Sequence, residues 1–283
     1  MGNPLPTELR LRLLAEKDLP LPKFTGYISR ALLLNLLGQS SPSAAMCLHE
    51  PNRPKPYSVT PLFFKSKLKA EAGYLLDAAY PCEVAFRFLD EGLAKLALDC
   101  LLKKDRLLII DAFLRIESME AKHESYEDLE ASAEPIEAFR LYFRTPTYFK
   151  ELGSPFHGLF PEPKKVFPGL LKLWGRFSGR GAKPLSEYRA WIDGNLGISG
   201  YELATHRVLM GKKKALGFTG WASYKVRGEG DDWARLTWLM AKFAEYSNVG
   251  GNRTGGFGVV KFEPRPEQEA AARPEGIGQN TQP

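Results

Sequence analysis

Residues 8–13 run Glu8, Leu9, Arg10, Leu11, Arg12, Leu13, apolar at every second position, which is the period of a strand with one buried face. After the breaker Leu19-Pro20-Leu21-Pro22, Phe24, Tyr27, Ile28, Ala31 and Leu32 recur at helical spacing over residues 24–37, and Gly38 is the expected stop. Tyr57 to Phe64 concentrates aromatic and β-branched residues and predicts a strand. Cys82, Val84, Phe86 and Phe88 alternate against Glu83, Ala85 and Arg87 as a third strand. Residues 90–103 predict a second helix and Arg106 to Glu117 a fourth strand. The order βαββαβ is the split βαβ unit of a ferredoxin-like, RRM-like fold.

The same order then repeats. Glu137 to Thr145 alternates as a strand, and residues 165–177 place Phe167, Leu170, Leu171, Trp174 and Phe177 on one helical face, with Lys164, Lys165, Lys172 and Arg176 available to the other. Gly200 to Met210 and Leu216 to Arg227 predict two strands joined by Gly211-Lys212-Lys213-Lys214. Asp231 or Asp232 is placed to cap a helix carrying Trp233, Leu236, Met240 and Phe243 inward. A glycine-rich loop, 250–258, leads into a last strand, Val259 to Phe262. The expectation is an α+β protein of two tandem ferredoxin-like domains, residues 1–119 and 136–263. An exposed acidic connection, 120–135, joins them, and a disordered tail, 264–283, follows.

Composition narrows the class. The three cysteines, Cys47, Cys82 and Cys100, lack C-x-x-C spacing, which argues against a disulfide framework or a cysteine zinc site. The N-terminus shows no export signal and no apolar run approaches membrane-spanning length, so a reducing, cytoplasmic compartment is expected, with no membrane partner. Net charge is only +6, but it is segregated. Lys164 to Arg265 holds eighteen Lys/Arg against eight Asp/Glu, whereas Asp111 to Glu137 holds nine acidic residues against two basic ones. A single strongly positive surface attracts a polyanion.

The most unusual segment is Ser247-Asn248-Val249-Gly250-Gly251-Asn252-Arg253-Thr254-Gly255-Gly256-Phe257-Gly258, with five glycines in the nine residues 250–258. Glycines admit positive φ and let N–H groups approach a ligand, so Gly250, Gly251, Gly255, Gly256 and Gly258, with the charge of Arg253, are candidates to hold phosphate oxygens. The loop is not a P-loop, since it follows a helix and lacks the Lys-Ser/Thr pair, and its helix–loop–strand order excludes a dinucleotide fingerprint. A helix, a loop ending Gly-Gly-Phe-Gly and a short final strand resemble the signature of the repeat-associated RNA-binding (RAMP) superfamily of CRISPR systems, in particular its repeat-processing endoribonucleases. The resembling parts are AEYSNVGGNRTGGFGVVKF at 244–262, LHEPNRPKPYSVTPLFF at 48–64 and FRLYFRTPTYF at 139–149.

RNA carries its own nucleophile, the 2′-hydroxyl, so cleavage needs no metal-bound water. It needs in-line geometry, proton transfer at the 2′ and 5′ oxygens, and cations for the developing charge. Of the four histidines, His123 sits in the acidic stretch, His157 lies in a loop without a basic neighbour before Lys164, and His206 falls in a strand beside Arg207. His49 is best placed, with Arg53 and Lys55 following and prolines at 51, 54 and 56 stiffening the segment. The resemblance implies His49 as acid–base group, Lys55 as the stabilising cation and Tyr27 as the group positioning the 2′-hydroxyl, with Arg30, one turn along, able to substitute for Tyr27. The expected products are a 2′,3′-cyclic phosphate and a 5′-hydroxyl.

Lys212, Lys213 and Lys214, with Arg207, Lys225 and Arg227, mark a basic hairpin for phosphate contacts, and Arg30 and Arg53 add charge near the expected site. Tyr142, Phe143, Tyr148 and Phe149 are candidates to stack unpaired bases, though alternation assigns half of them to the core. Cys47-Leu48-His49 has no second cluster, Asp231-Asp232 has no partner carboxylates and no Gly-x-Ser-x-Gly occurs, so neither metal nor other cofactor is expected. The partner that the resemblance implies is CRISPR repeat RNA, as precursor or mature guide RNA, with a CRISPR effector complex and a homodimer as the assemblies open to it. The competing readings are a non-catalytic RAMP subunit holding guide RNA and a general RNA-binding module.

Overall fold

Alternation at the start of the chain does what its period dictates: Leu9, Leu11 and Leu13 of β1 (Thr7–Ala15) are fully buried, while Arg10 and Arg12 face out. The structure is a computed structural model and describes residues 5–50, 53–71, 73–151, 153–181, 183–210, 213–227 and 232–264. After β1 come β2 (Leu19–Leu21), α1 (Gly26–Ser40), α2 (Pro42–His49), β3 (Tyr57–Val59), β4 (Ser66–Lys69), β5 (Tyr74–Leu76), β6 (Cys82–Phe88), α3 (Glu91–Leu101), β7 (Arg106–Ile109) and β8 (Ala112–His123). An antiparallel sheet in the order β3-β6-β1-β8-β7 carries this half, and β2, β5 and β4 form a small second one. Its core packs Leu33 and Leu37 of α1 and Ala97 of α3 onto the β1 leucines, Phe86 and Phe88.

The second half holds α4 (Tyr126–Ala131), β9 (Ala138–Thr147), β10 (Phe149–Lys150), β11 (His157–Gly158), α5 (Pro163–Phe177), α6 (Leu185–Asn195), β12 (Leu196–Met210), β13 (Lys213–Val226), α7 (Asp232–Ser247) and β14 (Val260–Glu263). Its main sheet runs β12-β13-β9-β14, and the inner face of β9, with Phe139, Leu141 and Phe143, packs on Phe167, Trp174, Met240 and Phe243. In both halves the first strand lies between the third and the last of its sheet, antiparallel to each.

The sequence reading needs correction at several places. Gly38 does not stop the first helix, which continues to Ser40; a second helix, α2, then opens, where the Ser41 hydroxyl accepts the Ala44 N–H and Pro42 occupies the first turn, where no amide proton is required. The predicted strand 57–64 ends at Val59, with Phe63 making only an isolated bridge to Glu83. Residues 106–117 are not one strand but a hairpin, turned at Ile110 with φ 59°. Nor is 120–135 merely an exposed connection: β8 runs to His123, and α4, capped by Ser125, buries Tyr126 and Leu129 on the second core while its carboxylates face out. Helix α6 escaped the sequence reading because it buries only Tyr188 and Ile192. Asp232 opens α7, and Asp231 and most of the tail lie outside the described residues.

On the face of β1 turned toward the second half, Glu8 and Arg87 form a buried ion pair, Nε to Oε2 at 2.6 Å, and Arg10 reaches the other carboxylate oxygen at 2.8 Å. Burial opposes ionisation of Glu8, but Arg87 and Arg10 outweigh it and hold the carboxyl below its ordinary range. An acid whose folded value is depressed stabilises the fold above its unfolded value and loses that contribution as pH falls through the folded value. Glu8→Gln is therefore expected to be less stable than the parent near neutral pH and to lose less on acidification. Urea midpoints at about pH 7 and about pH 4 test this, and parallel losses in both proteins would refute it.

Candidate active site and RNA interface

The glycine-rich loop leaves α7 at Asn248, whose φ of 56° turns the chain into the seam between the halves. Asn248 is fully buried and fully engaged: Nδ2 donates to the carbonyls of Val59 at 3.1 Å, Phe257 at 3.0 Å and Arg253 at 3.3 Å, while Oδ1 accepts from Arg87 Nη1 at 2.9 Å. Ser58 of β3 adds a bond to the Tyr246 carbonyl at 2.9 Å. One side chain thus fastens the loop to β3 and β6 of the other half.

The loop glycines allow close packing. A Cβ on Gly258, at φ 68°, would stand 1.8 Å from the Val249 carbonyl oxygen, and one on Gly26 of α1 would stand 2.0 Å from that of Gly255. The expected amide cradle is corrected in part: the N–H groups of Gly251, Gly255, Gly256 and Gly258 donate to the carbonyls of Tyr148, Asn252, Arg253 and Pro146. Those four amides are already engaged inside the protein. Arg253 likewise turns inward, donating to the carbonyls of Ser247 and Lys55, and burial pushes its guanidinium down to about 10. Gly26→Ala is expected to push the loop off α1 and lower the melting temperature by several degrees with α1 itself intact; an unchanged melting curve would refute the contact.

Loop and helices gather the expected catalytic positions. Asn252 Nδ2 donates to the Tyr27 hydroxyl at 3.0 Å, which ties α1 to the loop. Lys55 lies under Arg253 through its own carbonyl, and its ammonium donates to the carbonyl of Glu50, directly past the end of α2. His49 is the last residue of α2, and its side chain lies outside the described residues. The fully buried Tyr57 hydroxyl faces Arg30 and Thr254 without a hydrogen bond of normal geometry; burial raises its pKa and Arg30 opposes the rise. Arg53 is exposed and paired with Glu50 at 2.9 Å.

One histidine set aside by its sequence neighbours lies beside the glycine-rich loop, on a short strand and not in a loop. The His157 ring, on β11, stacks on Tyr148 with centroids 4.4 Å apart and planes 14° from parallel, while Tyr148 packs over Gly251 and against Phe257. Only the pairing of β10 with β11 brings His157 here, and no local spacing announces it. His123 ends β8, and His206 bonds Thr219 at 2.7 Å.

The basic hairpin is real but its cations do not form one patch. β12 and β13 pair along their whole length, with Arg207 opposite Leu216 near Lys214, and both line a groove of about 740 Å³ with Pro22, Phe24 and Tyr74. Lys225 pairs with Gly197 at the other end of the ribbon, eleven residues along β13 from Lys214, and Arg227 lies beyond it. Lys212 and the Lys213 side chain lie outside the described residues. On α5, Lys164 is paired with Asp193 and Lys165 with Glu151 and Glu162, which neutralises much of that face. Of the four aromatics offered for stacking, Phe143, Tyr148 and Phe149 are buried, leaving Tyr142 half-exposed.

Two antiparallel sheets joined through a glycine seam define a Cas6-like α+β architecture: a solved Cas6 product complex superposes with a TM-score of 0.75 at 26% identity, over 92% of this chain and 100% of that one. Residues 141–260 match the family CRISPR-associated endoribonuclease Cas6. The CRISPR-associated endoribonuclease Cas6 of Mycobacterium tuberculosis (strain CDC 1551 / Oshkosh) is 29% identical over 137 residues, 48% of this chain and 42% of that protein. The Streptococcus thermophilus Cas6 is 28% identical over 127 residues, 45% of this chain and 51% of its own. The chain thus spans about half the length of the curated relatives it matches. The resemblance read from the glycine-rich segment holds, and the chain is similar in sequence and in fold to CRISPR repeat-processing endoribonucleases.

Proposed function

We propose that the protein binds and cleaves CRISPR repeat RNA without a metal ion, by attack of the 2′-hydroxyl on the adjacent phosphate. The bond from phosphorus to the 5′ oxygen breaks, leaving a 2′,3′-cyclic phosphate and a 5′-hydroxyl. His49 moves a proton at the 2′ or 5′ oxygen, Lys55 neutralises charge on the pentavalent phosphate and Tyr27 positions the 2′-hydroxyl. The observation that supports this most is the convergence of three separate segments on one seam: Tyr27 held by Asn252, Lys55 held by Arg253, and the Lys55 ammonium set at the end of the helix that His49 closes. Arg207 and Lys214 extend the RNA path along the ribbon, with Arg30 and Arg53 nearer the cut.

The halves are proposed as tandem ferredoxin-like, RRM-like domains, which the shared strand order supports. Purified protein mixed with repeat RNA in EDTA tests the function. Cutting is expected, and a single 2′-deoxy sugar at the cut should block it with binding retained. Strict dependence on Mg²⁺ would overturn the mechanism, and tight binding without cutting would favour a non-catalytic RNA holder.

A further inference from the structure

The outward face of the second sheet carries an arrangement that the cleavage reading does not use. Tyr142 on β9 and Trp221 on β13 lie directly opposite each other in register, so their side chains share one face, and Lys261 of β14 stands opposite Tyr142 on its other side. Both rings are half-buried. Arg140 bridges them: its Cζ sits 4.0 Å from the Trp221 ring centroid and 5.8 Å from that of Tyr142, with Nε held by Ser223 at 2.9 Å. Gly200 on β12 lies beside Trp221, where even a Cβ would rest in ordinary contact with the indole at 3.6 Å.

We infer that Tyr142, Trp221 and the guanidinium of Arg140 form a stacking platform for unpaired RNA bases, separate from the cleavage seam. The two central strands of an open four-stranded sheet are where aromatic rings can meet splayed bases, and a planar guanidinium offers the same kind of surface. Charge favours a polyanion over an apolar partner. Arg144 and Lys261 flank the platform and line, with Arg10, Arg87 and Lys122 of the other half, a cleft of about 310 Å³ toward β1, in which these cations outnumber the carboxylates of Glu8 and Glu245. A sugar–phosphate backbone following that cleft would lay its bases on the platform. Glu202 and Glu263 bound the face, and Glu263 accepts from the Tyr142 hydroxyl at 3.1 Å, which fixes that ring's tilt.

The inference deepens the proposed function, resting on its RNA-binding part but not on cleavage. The probe is a uridine octamer carrying one 4-thiouridine, with an RNA duplex of equal phosphate number as comparator, both applied to the full chain. The expected result is preference for the single strand, cross-links within β9 and β13, and about tenfold or greater loss of octamer affinity in Trp221→Ala, largely restored by Trp221→Phe. A melting curve confirms that the alanine variant is folded; if it is not, Tyr142→Leu replaces it. Equal affinity for duplex and octamer, cross-links confined elsewhere, or affinity indifferent to both substitutions would overturn the platform. Cleavage of repeat RNA in EDTA is measured in parallel. A parent protein that cuts repeat RNA but does not bind the octamer sinks this inference alone, whereas octamer binding by the parent without cutting sinks the nuclease reading alone.

Discussion

His49→Ala is expected to slow cleavage of repeat RNA in EDTA by about 10²- to 10⁴-fold, the range carried by a positioned proton-transfer group, while RNA affinity changes only a few-fold. The measurement is single-turnover cutting with enzyme in excess, alongside a binding isotherm. Lys55→Ala should cost about 10²- to 10³-fold by removing a fixed cation from the developing charge, and Lys55→Arg should recover part of it. Because the two groups act on one transition state, the double variant should be little worse than the more damaged single one. The Lys55 ammonium donates to the Glu50 carbonyl, one residue beyond His49. A His49→Ala protein that still cuts at the parent rate would remove the basis of the proposed mechanism.

Asn248→Ala is the second large effect, and it acts on stability. It takes the donor from the carbonyls of Val59, Phe257 and Arg253 and the acceptor from Arg87, all at a seam closed to water, and it places alanine at a φ of 56°. Buried polar groups left without partners cost about 1–3 kcal/mol each, so a loss of about 3–5 kcal/mol is expected after partial relaxation. That is a large share of the roughly 5–15 kcal/mol that holds a domain folded. Asn248→Gly relieves the backbone but not the lost bonds and should recover only a fraction. Denaturation midpoints decide this, and a shift below about 1 kcal/mol for Asn248→Ala would show that the seam does not depend on this side chain.

What the sequence made legible follows from which interactions leave a periodic trace. Leu9, Leu11 and Leu13, and likewise Phe139, Leu141 and Phe143, announce their strands because a pleated strand repeats every two residues, and from such runs the doubled element order could be written down. Helix α2 was hidden because Pro42 and the serines around it look like punctuation, although proline suits a first helical turn. The loop's glycines were visible but their purpose was not: positive φ and close approach serve backbone packing as well as anion binding, and only the partners of the amides distinguish the two. Lys225 and Arg227 lie far from Lys214 because the ribbon is long, which the sequence does not reveal. Asn248 and His157 stood in view, but nothing in their spacing announced their contacts. Their neighbours are carbonyls and a ring brought from distant segments, and no spacing rule encodes such meetings.

The way residues 248–258 are lodged against α1, β3 and β6 has a consequence for synthesis. During translation Tyr27 and Lys55 emerge long before Asn252 and Arg253, so a partly made chain carries both residues without the bonds that the loop donates to them. Ribosome-bound or prematurely terminated products that stop short of residue 252 should therefore lack the loop contacts that hold Tyr27 and Lys55.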